Sequence, residues 1–298
     1  MSNLQKRLIT GTALTLGMTA ILFGDGVISI KPFLPLCMMV LALVTCLEFF
    51  ALEQVPQTLF YRLFPSALIT AIGLQWFVYY IHVLDFSWSP VLLASNDRSV
   101  PVISIATLIV YFFAAVSLLI LDSITTHSGK LGSRGFVISC FVFAYLVLPA
   151  LSLMKIQHMP DIPTTLALAV TIFVPKLGDV GAFFTGTFLG KHKMAPRLSP
   201  KKTWEGFAGG MVVAMLTAVG INEIGPEPLF KGGVLQAMLF GLVVGIAGVL
   251  GDLFESLIKR RANAKDASAS VPGFGGVLDV VDSVLFAAPT AYLFFVLM

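Results

Sequence analysis

The sequence predicts an all-α protein, a polytopic transmembrane helical bundle of about nine spans, and three observations carry that expectation. Apolar residues fill 57% of the 298 positions and charged residues only 12%, where a soluble domain holds about a quarter charged. Mean hydropathy is +0.92. Most apolar runs have no amphipathic period, so they are hydrophobic on every face, as helices in lipid are.

At 1.5 Å rise per residue, about 20 apolar residues cross a hydrocarbon layer of roughly 30 Å. Nine stretches qualify: 8–28, 34–52, 66–84, 102–121, 135–154, 164–188, 203–221, 234–256 and 277–297. The first follows Lys6 and Arg7 as a secretory signal would, but the many spans behind it make it a retained helix. The segment 85–100, with Trp88, Pro90 and Asp97, reads as an extracytoplasmic interfacial loop. The sixth stretch contains Pro175, Lys176, Gly178 and Asp179, which predicts a kink or break. No linker divides the chain, so residues 1–298 are expected to form one integral membrane domain. Within it, 1–155 supplies N-terminal membrane helices and 164–298 the helices where charge concentrates.

Orientation follows the lysines and arginines of the loops. Nine spans place 14 of them on one side and four (Lys31, Arg98, Lys155 and Lys231) on the other, with Lys176 inside a span. The N-terminus is therefore expected in the cytoplasm and the C-terminus outside. Cys37, Cys46 and Cys140 all fall in apolar runs without ligand spacing and read as small hydrophobes in helix packing.

Acids are sparse in the first five spans: Asp25, Glu48 and Asp122. From Lys176 onward, Asp179, Glu205, Asp252, Glu255, Asp279 and Asp282 all lie in or beside membrane helices. Each charge at a helix centre costs about 2.5–3.5 kcal/mol on insertion scales, so a cluster of this size asks for a function. Asp279 and Asp282 are three apart and share a helix face. Asp252, Ser256 and Lys259 repeat a similar spacing one helix earlier. Three converging carboxylates, Asp252, Asp279 and Asp282, without His or Cys describe a hard-cation site, Mg²⁺ rather than zinc. Lys259, Arg260, Arg261 and Lys265 beside them suit a substrate rich in phosphate.

A second basic loop, 190–206, opens the seventh span. Ser199 fits a helix N-cap and Pro200 a first helical position, which would put Lys201 and Lys202 in the first turn, where the dipole disfavours cations. A bound anion would resolve that conflict; positive-inside topology alone is the competing explanation. Gly206, Gly209 and Gly210 suit close helix packing. Gly186 to Lys191 lacks the spacing and the ending of a phosphate loop, and no dinucleotide fingerprint is present. His82, His127, His158 and His192 are scattered and read as interfacial.

The run from Ser256 to Asp282, Ser-Leu-Ile-Lys-Arg-Arg-Ala-Asn-Ala-Lys-Asp continuing to Pro-Gly-Phe-Gly-Gly-Val-Leu-Asp-Val-Val-Asp, resembles the signature of phosphatidate cytidylyltransferases (CDP-diacylglycerol synthases). Ser199-Pro-Lys-Lys-Thr-Trp-Glu-Gly and Asp179-Val-Gly-Ala also look like that family, and the matching segments span roughly the C-terminal 120 residues. The resemblance implies that the phosphate of phosphatidic acid attacks the α-phosphorus of CTP and releases pyrophosphate. It implies Mg²⁺, with a monovalent cation alongside in some members, a lipid bilayer, often a homodimer, and no nucleic acid. Carried over, Asp252, Asp279 and Asp282 would hold metal, and Lys259, Arg260, Lys265 and Asp266 would act on the phosphates. Ser199, Lys201, Lys202, Thr203 and Glu205, with Ser256 and Asp179, would bind substrate. The implied location is the inner (plasma) membrane, with the site open to the cytoplasm. Two positions depart from the pattern: Phe274 replaces a His and Val280 an Arg. Two other functions fit parts of the pattern, a CTP-dependent lipid kinase and, from a different class, a cation-coupled transporter. The latter would favour two related halves, and none is visible.

Overall fold

The computed structural model describes residues 145–298 with a few gaps, together with Thr12, Gly17, Val44, Thr45, Leu47 and Glu48. The first four expected spans otherwise lie outside the described residues, as do much of the fifth and Phe274. Val44, Thr45, Leu47 and Glu48 are helical, in keeping with the second span.

Residues 149–157 close one helix, and four longer ones follow: α1 (Thr164–Phe188), α2 (Trp204–Ile224), α3 (Gly233–Arg261) and α4 (Val277–Leu297). All four are long and apolar enough to cross a membrane. Expectation and structure coincide for 164–188 and 277–297; the other two helices run three to five residues further at their C-termini. Threonines inside these apolar helices bond the carbonyl one turn back: Thr171 to Ala167, Thr217 to Val213 and Thr290 to Phe286, at 2.7–2.8 Å. A hydroxyl satisfied by its own helix can face lipid or core without a stranded donor.

Of the kink or break expected at Pro175, the break does not occur: α1 is one helix through that residue. Pro175 is buried against Gly248 of α3, where even a methyl group on the glycine would lie 2.7 Å from the proline Cβ. That packing supports the turn that the missing N–H weakens.

Small residues set the helix spacing. Gly178, Ala182 and Gly186 of α1 recur every four residues, and so do Gly206, Gly210 and Ala214 of α2. A Cβ on Gly206 would come within 2.8 Å of the Ala182 carbonyl, and one on Gly210 within 2.9 Å of the Gly178 carbonyl. The two backbones therefore touch, and dispersion between them replaces the hydrophobic drive that lipid does not supply. These pairings run antiparallel, as do those of α2 with α3 (Gly245 beside Met211 and Ala214) and of α3 with α4 (Gly251 beside Asp282). One end of the four-helix unit gathers the close of α1, the starts of α2 and α4, and the close of α3. Toward the other end, Phe230, Phe240, Phe294 and Phe295 pack with ring centroids 5.1–6.3 Å apart. There Asn222 accepts the Phe230 amide at 2.9 Å and ties the close of α2 to the loop that leads into α3.

Between α1 and α2 lies a small antiparallel hairpin, β1 (Lys193–Ala195) and β2 (Ser199–Thr203), pairing Lys193 with Thr203 and Ala195 with Ser199. This corrects the expected helix start. Ser199 is a strand residue rather than the N-cap, and Pro200 stands in a two-stranded edge that tolerates its missing donor. Thr203 is the cap: its Oγ1 accepts the Gly206 amide at 3.1 Å. The later start puts Gly206 and Gly210 against α1. Lys201 and Lys202 consequently lie outside the first helical turn, and the dipole conflict argued for them disappears.

Candidate active site

The chemistry-bearing side chains collect where the site end of α3 meets α1, α4 and the hairpin. On α3, Asp252, Glu255 and Lys259 fall on one face by their three- and four-residue spacing. Gly251 lets α4 approach that face: a Cβ there would lie 2.5 Å from the Asp282 carbonyl oxygen and 3.3 Å from Ser283 Cα. The result is a trio, Asp252, Glu255 and Asp282, whose nearest carboxylate oxygens all lie within 4.8 Å of one another.

Each acid of the trio gives one oxygen to a different lysine. Lys202 Nζ is 2.6 Å from Asp252 Oδ2, Lys259 Nζ is 2.8 Å from Glu255 Oε2, and Lys176 Nζ is 3.1 Å from Asp282 Oδ1. The Lys202 pair joins β2 directly to α3, so the hairpin's basic motif is held against the helix that carries Lys259 and Arg260. Arg260 strengthens the same junction by donating from Nε to the Leu198 carbonyl at 3.3 Å.

Asp279 stands on the far side of Lys259. Its Oδ1 is 2.6 Å from Lys259 Nζ, and its Oδ2 accepts the amides of Ala267 (2.8 Å) and Gly276 (2.7 Å). The bond to Gly276 closes the first turn of α4, where an acid also suits the dipole. Gly275 allows this fold-back with φ of +110°, and a Cβ there would meet Asp279 Oδ2 at 2.7 Å.

The loop between α3 and α4 starts from a defined stop. Asn263 takes a left-handed φ of 53°; the Asn263 amide bonds the Arg260 carbonyl and the Ala264 amide the Lys259 carbonyl, at 3.2 and 2.8 Å. This is a Schellman closure with asparagine in the usual glycine place. It turns the chain so that Lys265 and Asp266, both exposed, lead back to the start of α4.

The remaining expected site residues divide. Ser256 is buried on α3, Asp179 lies one turn past Lys176 on α1, and Lys201 is exposed on the hairpin. Thr203 and Glu205 hold the hairpin in place. Glu205 accepts the amides of Lys191 (3.1 Å) and His192 (3.2 Å) and lies 2.6 Å from His192 Nδ1. Val280 is half-buried on α4. Sequence reasoning gave no role to Glu255 or Lys176, although Asp252 and Glu255 have the same three-residue spacing that singled out Asp279 and Asp282.

A divalent cation fits the trio. The donors are hard carboxylate oxygens, with no sulfur or imidazole among them. Glu255 is 1% exposed, and its Oε1 is buried and accepts no hydrogen bond, an expensive arrangement unless something positive is bound. Asp179 lies within electrostatic reach of Lys176, Asp252, Asp282 and Lys202.

Fold and site together define an integral membrane helical protein that gathers an acid cluster and two basic loops at one end of its helices. Residues 5–298 match the cytidylyltransferase family, and the chain belongs to that family. It is 43% identical over 114 residues to the phosphatidate cytidylyltransferase of Bacillus subtilis, covering 38% of this chain and 41% of that one. The Haemophilus influenzae enzyme of the same name is 41% identical over 122 residues (40% and 42% of the two chains). That of Pseudomonas aeruginosa is 36% identical over 144 residues (48% and 52%). The matched stretch thus spans about half or less of the curated relatives.

Proposed function

We propose that this protein transfers the cytidylyl group of CTP to phosphatidic acid, forming CDP-diacylglycerol and releasing pyrophosphate. The observation that carries the reading is the junction at Asp252, where the hairpin lysine Lys202 reaches the acid trio of α3 and α4. Membership in the cytidylyltransferase family supports it.

In the transfer, a phosphate oxygen of phosphatidic acid forms a bond to the α-phosphorus of CTP, and the bond from that phosphorus to the bridging oxygen of pyrophosphate breaks. The nucleophile is already an anion, so the site's task is to bring two phosphates together and stabilise the leaving group. Asp252, Glu255 and Asp282 would hold Mg²⁺, and Asp279 would hold Lys259 beside them. The chemistry Mg²⁺ supplies when bound is neutralisation of charge on the triphosphate and the departing pyrophosphate. Lys259, Arg260 and Lys265 bind and orient phosphates from the α3 side, with Asp266 positioning the loop. Ser199, Lys201 and Lys202 do so from the hairpin, which Thr203 and Glu205 keep in place. Asp179, one turn past Lys176, and Ser256, next to Glu255, bind substrate beside them.

The reading extends to about nine spans in the inner membrane. The site opens to the cytoplasm, where CTP is, and the C-terminus lies outside. It also extends to a homodimer, on the family resemblance alone. Purified protein incubated with CTP labelled at the α-phosphate, phosphatidic acid and Mg²⁺ is expected to yield labelled CDP-diacylglycerol and pyrophosphate. Labelled CDP with a phosphorylated lipid would instead identify a lipid kinase.

A further inference from the structure

We infer that Lys176 is a positioning residue of the acid trio: its ammonium group, delivered from the middle of α1, fixes the Asp282 carboxylate so that one oxygen is left for a divalent cation. The inference rests on the proposal that the trio binds such an ion.

Lys176 belongs to neither basic loop. It lies halfway along a membrane-spanning helix, where insertion scales put the cost of a lysine at about 2.5–3.5 kcal/mol. Positive-inside topology acts at helix ends, so it does not account for this residue. What does account for it is Asp282, 106 residues later, whose Oδ1 accepts from Lys176 Nζ at 3.1 Å. The same Oδ1 accepts the Ser283 amide at 2.6 Å. Both bonds fall on one oxygen, and Oδ2 accepts from none of the described residues. A carboxylate held by two donors on one oxygen has a fixed plane, and its second oxygen is left free of donors from the described residues, beside the two other acids of the trio.

The base of this lever is rigid. Pro175, the residue before it, packs under Gly248 of α3, and a Cβ on Gly248 would also sit 3.6 Å from Ser283 Cβ. Three helices therefore meet at the turn that carries Lys176, and the lysine starts from a backbone that cannot drift from Asp282. Lys202 and Lys259 treat Asp252 and Glu255 the same way, one oxygen each. Those two lysines lie in motifs already tied to phosphate binding; Lys176 has no such second task.

The sign of one measurement separates positioning from bystander charge. By Coulomb's law alone, deleting a cation beside a cation site tightens ion binding. Loss of positioning weakens it. Purified full-length protein in detergent, titrated with Mn²⁺ and read by electron paramagnetic resonance, is expected to bind the ion. Lys176→Met is expected to weaken that binding at least about tenfold, and Lys176→Arg to restore much of the loss. In an Asp282→Asn background, Lys176→Met is expected to change affinity less than about twofold, because the group it acts through has lost its charge. That double variant removes both partners of the buried pair, so it reports even where the single variant folds poorly. Unchanged or tighter binding in Lys176→Met overturns the inference, as does an equal effect in both backgrounds. Wild-type protein that binds no Mn²⁺ overturns the metal reading itself.

Discussion

At the residue scale, Asp252, Asp282 and Asp279 differ in what their oxygens already do, and substitutions should sort accordingly. Asn keeps the shape and removes the charge, so no cavity opens. Asp252→Asn and Asp282→Asn take a donor from the trio. Each is expected to lower turnover at least about a hundredfold, roughly 2.7 kcal/mol of barrier, with the fold retained. Asp279→Asn is expected to lose as much turnover, because Lys259 and two loop amides depend on that carboxylate; near-normal turnover would remove Asp279 from the site. Phe274 and Val280 stand where the resembling family has His and Arg, and neither can bind phosphate or metal. A phosphate monoester has its second pKa near 6. The nucleophile is therefore largely dianionic at pH 7 and needs no histidine to deprotonate it. Turnover is expected to rise with pH as phosphatidic acid ionises and then to level off. Phe274→His with Val280→Arg should change it by less than about tenfold, or 1.4 kcal/mol. A protein that gained transferase activity only in that double variant would mark this chain as a degenerate relative.

At the element scale, the four described spans were legible because a run of about 20 apolar residues leaves little choice of structure. α1, whose bounds match the expectation, lies between Asp161 and Lys191, where polarity changes sharply. The cap of α2 was not legible, because Ser199 and Thr203 are both good caps and only packing against α1 decides between them. Glycines show the same limit. Gly220 and Gly251 look alike in the sequence, yet a Cβ on Gly220 would meet nothing within 4 Å, whereas one on Gly251 would press on α4 backbone at 2.5 Å. Gly251→Ala should therefore force α3 and α4 apart beside Asp252, at a cost of about 1–3 kcal/mol. It is expected to lower both turnover and the temperature at which the protein leaves solution. Gly220→Ala should leave turnover intact and add up to about 1 kcal/mol of helix stability. Heating both variants in detergent, with size-exclusion of what remains, checks the contrast; equal behaviour would mean that the α3–α4 contact tolerates a methyl group.

At the scale of the whole molecule, sequence and structure constrain topology by independent routes. The sequence argument is a charge count, 14 loop lysines and arginines against four, and it depends on every span being counted correctly. The structural argument needs only the four described helices. The hairpin is bound to the C-terminal part of α3 through Lys202–Asp252 and Arg260–Leu198, and Lys265 follows four residues after that helix ends, so Lys193 and Lys265 are expected on one side of the membrane. Lys231 sits between α2 and α3, at the other end of both helices. The site itself was only half legible in the sequence: ion-pair partners such as Lys176 and Asp282 lie 106 residues apart, and spacing rules reach one turn of one helix. Accessibility of single cysteines at 193, 265 and 231, in a background with Cys37, Cys46 and Cys140 replaced, tests both routes at once. A membrane-impermeant maleimide applied to intact cells is expected to label only position 231; opened cells should add 193 and 265. Positions 193 and 265 on opposite sides would break the shared site, whatever the charge count says. All three positions inverted together would leave the site whole but turn it away from cytosolic CTP, and the proposed reaction could not run there.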